Sequence, residues 1–132
     1  MGDFKHDSLT SRILGSVFRV HQMLGPGFVE SVYQRALVVD FLSEGLTVAV
    51  EKYIPIYYMN ERVGRHYIDI VVEDSVIIEV KAAESICKAH YTQVRSYLKA
   101  SGLKVGLIIN FSGPSVDYRR VELKSPPIPI IP

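Results

Sequence analysis

A chain of 132 residues with a net charge of +1 and 48% hydrophobic residues can bury the core of one domain. It carries no overall charge excess that would announce a nucleic-acid or membrane partner, so any such footprint must be local. The single cysteine, Cys87, excludes an internal disulfide and any zinc site built on several cysteines.

No apolar run approaches the roughly 18 residues of a membrane span, and the opening "MGDFKHDSLTS" lacks the apolar stretch of a signal peptide. A cytoplasmic protein with no membrane partner is the expectation. In chain order, Leu9, Ile13, Val17, Val20 and Leu24 recur at helical spacing and predict a helix over residues 8–24, with Ser8 as N-cap. "GPG", Gly25 to Gly27, ends it. That stretch lacks the lysine and the strand–loop–helix setting of a phosphate loop, so it reads as a tight link between helices. A second helix follows over residues 28–44, with Val29, Val32, Ala36 and Val39 as its apolar face and Gly45 as its stop.

From Leu46 the period changes. Residues 46–59 are β-branched and aromatic and read as one long strand or a strand with a break. Pro55 places an edge or a bulge there. "NERVG" reads as a polar turn, residues 65–73 as a strand, "EDS" as a turn and residues 76–82 as the next strand. Residues 86–101 form a helix stopped by Gly102, residues 104–112 a strand, and residues 118–123 a last short strand. The proline-rich residues 125–132 cannot enter a sheet interior and read as an extended tail. The order α-α-β-β-β-α-β, with one further strand, predicts an α/β domain over residues 1–124: a mixed central sheet flanked by helices.

Inside "SVIIEVKAAE", Glu79 and Lys81 interrupt an apolar strand, and burying either charge unpaired is costly. The tripeptide acid-x-Lys also occurs at Asp3 and Glu122, so alone it carries no weight. Strand geometry adds some. Glu79 and Lys81 share one face. With a three-residue loop Glu73–Ser75, Val72 faces Val76 and Asp69 falls opposite Glu79, about 5 Å away. Two carboxylates so placed repel unless a cation joins them, and a hard cation such as Mg²⁺ turns that cost into a site. Lys81 beside it can orient a water or stabilise charge on a phosphoryl oxygen. The plain alternative is a salt-bridged patch at an exposed sheet edge.

The pattern Asp69, nine residues, then Glu79-Val80-Lys81 on a hairpin resembles the PD-(D/E)XK nuclease superfamily. Gly27-Phe28-Val29-Glu30-Ser31-Val32-Tyr33 is similar to the name motif of its GxxExxY branch, and "HQMLGPG", "IDIVVEDSVIIEVKA", "AHYTQVRSYLKASG" and "GLIINF" fit that branch. The resemblance covers roughly residues 9–123. Ile68 stands where the superfamily name has proline, and the basic residue before the aspartate is displaced to Arg65 or His66. The resemblance implies a restriction-endonuclease-like core, α-β-β-β-α-β. It implies Mg²⁺ or Mn²⁺ held by Asp69, Glu79, the Val80 carbonyl and Glu30, with Lys81 catalytic. Gln93 and Tyr97 match a helix motif thought to orient the site or contact the strand. The activity implied is hydrolysis of phosphodiester bonds in nucleic acid, DNA ahead of RNA, with a homodimer allowed. The rival is a nuclease-fold module that binds nucleic acid or a protein without cleaving.

Other residues have plainer readings beside these. Glu30 can complement the helix dipole with Tyr33 in the core, whereas the resemblance implies that Glu30 is a metal ligand and that Tyr33 lines the site. His90, Gln93 and Tyr97 form one stripe that could be a polar seam or line the site. His21 reads as a packing residue. Residues 85–116 and 8–29 contain no acid, and carry Lys88, Arg95, Lys99 and Lys104 in one and Arg12 and Arg19 in the other. Both suit contact with a phosphate backbone.

Overall fold

A computed structural model describes residues 4–123. The proline-rich tail therefore lies outside the described residues. The elements are α1 (Phe4–Leu24), α2 (Glu30–Ser43), β1 (Val48–Tyr58), β2 (Glu61–Val72), β3 (Val76–Lys81), α3 (Lys88–Ser101), β4 (Val105–Asn110) and β5 (Asp117–Glu122). They form one five-stranded sheet in the order β1-β2-β3-β4-β5. Only β3 and β4 run parallel, because the chain between them passes through α3. The α/β class and the mixed sheet flanked by helices are as expected.

Two cores flank the sheet. One joins α1 and α2 to Ile70, Val72, Val76, Ile78, Val80, Leu107 and Ile109. The other joins α3 to Ile68, Val71, Ile77, Ile108 and Val121. Strands β3 and β4 are therefore covered on both faces, which is why their sequences read as continuous apolar runs.

Several elements differ from the sequence reading. Helix α1 starts at Phe4, so Ser8 lies inside it and is not its N-cap. Asp7 in the first turn complements the helix dipole and pairs with Arg120 at 3.0 Å. Helix α2 buries Tyr33, Leu37 and Phe41. The valine stripe is displaced from the core: Val29 and Val39 are exposed. The larger side chains bury more area per residue and take the inner face. "NERVG" is not a turn. Met59 and Asn60 both have φ near +60°, the signature of a two-residue hairpin turn, so strand pairing resumes at Glu61. Pro55 lies on edge strand β1, next to a register shift at Ile56/Tyr57.

Helix α3 sits directly on the sheet at Gly106, where a Cβ would lie 2.6 Å from Val94 Cγ1. Gly106→Ala is expected to destabilise the protein by about 1–3 kcal/mol, because α3 must lift to admit one methyl group. Urea unfolding measures this, and an unchanged midpoint would contradict the packing described.

Candidate metal centre and active site

The β2–β3 hairpin sets the site. Its loop is Glu73–Ser75, with Val72 opposite Val76. Glu73 and Asp74 both have positive φ, and the Ser75 N–H donates to Val72 O at 2.9 Å. Pairing continues to Ile70 opposite Ile78. One step further out by that count, Asp69 faces Glu79, and there the main-chain ladder opens. Asp69 Oδ2 enters the gap and accepts the Val80 N–H at 2.9 Å. Burial raises the Asp69 pKa, the Val80 hydrogen bond opposes this, and the charge of Glu51 adds to the rise.

Glu79 is only 4% exposed. Its Oε2 lies 3.2 Å from Lys81 Nζ, and its Oε1 has no hydrogen-bond partner among the described residues. Burial first, then the charge of Asp69, pushes the Glu79 carboxyl up to about 7. The exposed-edge explanation for these charges fails, since β3 is interior to the sheet and its Glu79 is buried.

Lys81 Nζ donates to Gln93 Oε1 of α3 at 3.1 Å. Tyr97, one helical turn on, packs edge-on against His66 with ring centroids 4.7 Å apart. Burial and the charges of Glu79 and Asp69 push its hydroxyl up to about 12, against a hydrogen bond with Gln93. Glu79, Lys81, Gln93 and Tyr97 thus form one connected polar chain from β3 to α3. The spacing of four residues places Gln93 and Tyr97 on the same helix face.

The open side of Asp69 is a cleft of about 610 Å³, lined by Glu30, Gln34, Glu51, Asp69, Val80 and Ala82 among others. Glu30 opens α2, and its Oε2 accepts the Ala82 N–H at 3.2 Å. Gln34 lies one turn further. Its amide donates at 3.0 Å to both the Asp69 carbonyl and Glu51 Oε1.

Sequence reasoning missed Gln34, Glu51 and Asn110. Gln34 was findable, being four residues past Glu30 on the same helix face. Glu51 was not, because a lone acid in a long strand reads as a solvent-facing residue. Asn110 is buried at the end of β4. Its side chain accepts the Ala83 N–H at 3.1 Å and donates to the Ala83 carbonyl at 2.9 Å, fixing the segment that follows Lys81. A polar residue closing the apolar run "GLII" was its available signal.

Other expected residues lie elsewhere. Tyr33 does not line the site. It is fully buried, stacks on Phe111 at 4.4 Å, and donates to the Gly25 carbonyl at 2.5 Å. Its bulk belongs to the core, and its hydroxyl secures the turn between α1 and α2. His90 caps α3 by accepting the Cys87 N–H at Nδ1, 3.1 Å. Burial lowers its pKa, and the charges of Lys81 and Glu30 reach it. His21 stacks on Phe111 and contacts the Gly113 carbonyl at 3.0 Å. Arg12 donates to the Glu44 carbonyl and Arg19 pairs with Asp40 at 2.5 Å, so both hold α1 to α2. That employment weakens the case for them as phosphate contacts. Lys88, Arg95 and Lys99 remain exposed on α3.

No three His, Cys, Asp or Glu residues converge on one point among the described residues. An oxygen-only donor set with an unpartnered buried oxygen nonetheless fits a hard cation. Mg²⁺ in particular keeps several waters and binds through one or two carboxylates.

A mixed α/β sheet with two apposed carboxylates and a lysine at the C-terminal end of a parallel strand defines a nuclease-like domain. The sequence pattern of the PD-(D/E)XK nuclease superfamily matches residues 7–121, and the chain belongs to that superfamily. No curated protein matches it. A solved structure described as "Crystal structure of SSO0001" shares the fold, with a TM-score of 0.56 at 14% identity over 70% of this chain. The match spans 50% of that structure's chain.

Proposed function

We propose that the protein is a divalent-metal-dependent nuclease that hydrolyses phosphodiester bonds in DNA or RNA. The observation that carries this reading is Glu79, a nearly buried carboxylate with an unpartnered oxygen, facing Asp69 and flanked by Lys81. Without a ligand that arrangement only costs free energy. Asp69, Glu79 and the Val80 carbonyl would hold Mg²⁺ or Mn²⁺, with Glu30 assisting from α2. The ion would supply Lewis-acid stabilisation of charge on the scissile phosphate.

The chain's own residues do the rest. Gln93 and Glu79 fix the Lys81 ammonium by each accepting a hydrogen bond from it, which leaves its third N–H for a phosphoryl oxygen or for the attacking water. Tyr97 stays protonated through the neutral range and so acts as a hydrogen-bond donor. Asp69 is pinned by Val80, so its second oxygen keeps a fixed direction.

We further propose that the chain belongs to the GxxExxY branch. The local geometry gives that motif a physical sense. Gly27, at φ +115°, makes the left-handed link, Glu30 meets the cleft, and Tyr33 locks the link to the core. DNA is the first substrate to test, in a cytoplasmic protein that sedimentation can examine for a homodimer.

The test is cleavage of labelled single-stranded, duplex and branched DNA and RNA with Mg²⁺, with Mn²⁺ and with EDTA. Cleavage that EDTA abolishes is the expected result. Failure on every substrate, with no Mn²⁺ binding either, would reduce the site to a binding module or a structural network.

A further inference from the structure

Glu51 has no place in the roles assigned above, yet its surroundings are unusual. Its φ is +51°, a left-handed conformation that side chains other than glycine and asparagine rarely adopt. The β1–β2 pairing registers Val50 against Ile70 and Lys52 against Ile68 and skips the step between them, where Glu51 stands across from Asp69. Gln34 spans the gap with a single amide that reaches both residues. The charge of Glu51 is felt at Asp69 and at Tyr97.

Strand β1 could run straight through this point with any β-branched residue. Instead the backbone bends to turn an acid into the cleft, beside an aspartate whose ionisation it opposes. Such strain collects at functional positions. Three carboxylates now line one cleft, Glu30, Glu51 and Asp69, and each has one oxygen held by an N–H donor. Across from Asp69 the buried Glu79 has an oxygen, Oε1, with no hydrogen-bond partner among the described residues, and the charges of Asp69 and Glu30 both act on its carboxyl. The three are too spread to grip a bare ion directly. They are suited to a hydrated one, since Mg²⁺-type ions keep most of their waters.

We propose that Glu51 is a further cation-holding residue, which accepts hydrogen bonds from the divalent cation's water shell on the cleft side while Asp69 and Glu79 hold the ion. The inference rests on the metal-dependent reading above. Gln34 serves as its positioning residue, tying the acid to the backbone of Asp69.

The test needs no nucleic acid. Mn²⁺ binding to the full chain is followed by the loss of the free-ion electron paramagnetic resonance signal. Wild type is compared with Glu51→Gln, Glu51→Gly and Asp69→Asn, and thermal melts are run in parallel. Glu51→Gln keeps the size of the side chain and its bond from Gln34 but removes the charge. It is expected to weaken Mn²⁺ binding about 10-fold. Glu51→Gly relieves the backbone strain, so it is expected to melt higher while binding Mn²⁺ as weakly. That opposed pair is not what a merely structural glutamate gives. If both Glu51 variants bind Mn²⁺ like wild type while Asp69→Asn does not, the inference about Glu51 is overturned and the metal site stands. If wild type binds no Mn²⁺, the metal-dependent reading falls and this inference with it.

Discussion

Lys81→Ala is expected to lower metal-dependent cleavage by about 10²- to 10³-fold, the usual cost of losing one transition-state hydrogen-bond donor. The loss is expected in kcat, with nucleic-acid binding little changed, because Lys81 is half-buried and tied to Gln93 and not displayed on the surface. A second effect follows from its neighbour. The charge and hydrogen bond of Lys81 hold down the Glu79 carboxyl. Their removal pushes Glu79 further toward the protonated form, so the variant should bind metal poorly at pH 7 and recover part of that affinity near pH 9. Single-turnover cleavage and Mn²⁺ titration at the two pH values separate the effects. Full activity in the variant would remove Lys81 from the mechanism.

Glu79→Gln carries the other large effect, and stability and activity should move in opposite directions. Below pH 4.5 the carboxyl is protonated in both folded and unfolded chains and contributes no pH dependence. Between 4.5 and about 7 the unfolded chain releases the proton and the folded chain retains it, so stability falls as pH rises. Above about 7 the penalty is complete, up to about 3 kcal/mol for a shift of this size. The raised pKa of Asp69 acts in the same sense. Metal-free wild type is therefore expected to lose stability from pH 5 to pH 8, and Glu79→Gln to lose markedly less. Mn²⁺ should raise the wild-type melting temperature at pH 8 by binding the folded state alone. It should do little for the variant, and cleavage by the variant should be lost. Identical pH profiles for the two proteins would contradict the burial and charge assigned to Glu79.

The acidic pair was legible in the sequence because a hairpin converts loop length into register. Counting three loop residues from Val72 to Val76 placed Asp69 opposite Glu79, and two apolar neighbours on each strand fixed the face. For Gln93 and Tyr97 spacing gave only a shared helix face with His90, and it was the resemblance to a nuclease helix motif that singled them out. What failed was rotation and backbone sign. In α2 two apolar stripes compete, and pattern alone does not say that Tyr33, Leu37 and Phe41 outrank the valines. In β1 the positive φ of Glu51 has no local signature, since neither glycine nor asparagine marks it. The turn at Met59–Asn60 was hidden because Met59 is an unusual residue for a position with positive φ.

The parallel pairing of β3 with β4 has a further consequence, for the order in which the chain assembles. Strands β1, β2 and β3 are joined by tight turns and close only short loops, whereas β4 reaches β3 after the whole of α3. The residues that hold Lys81 and Ala83, Gln93 and Asn110, arrive with those later elements. During synthesis β3 is therefore an open edge, and an apolar edge of that kind invites pairing with another chain. Glu79 and Lys81 are the charges on that edge. In the finished protein they are a buried pair whose carboxyl is pushed toward its protonated form. In the growing one the same two charges would disfavour pairing of the open edge with another apolar strand.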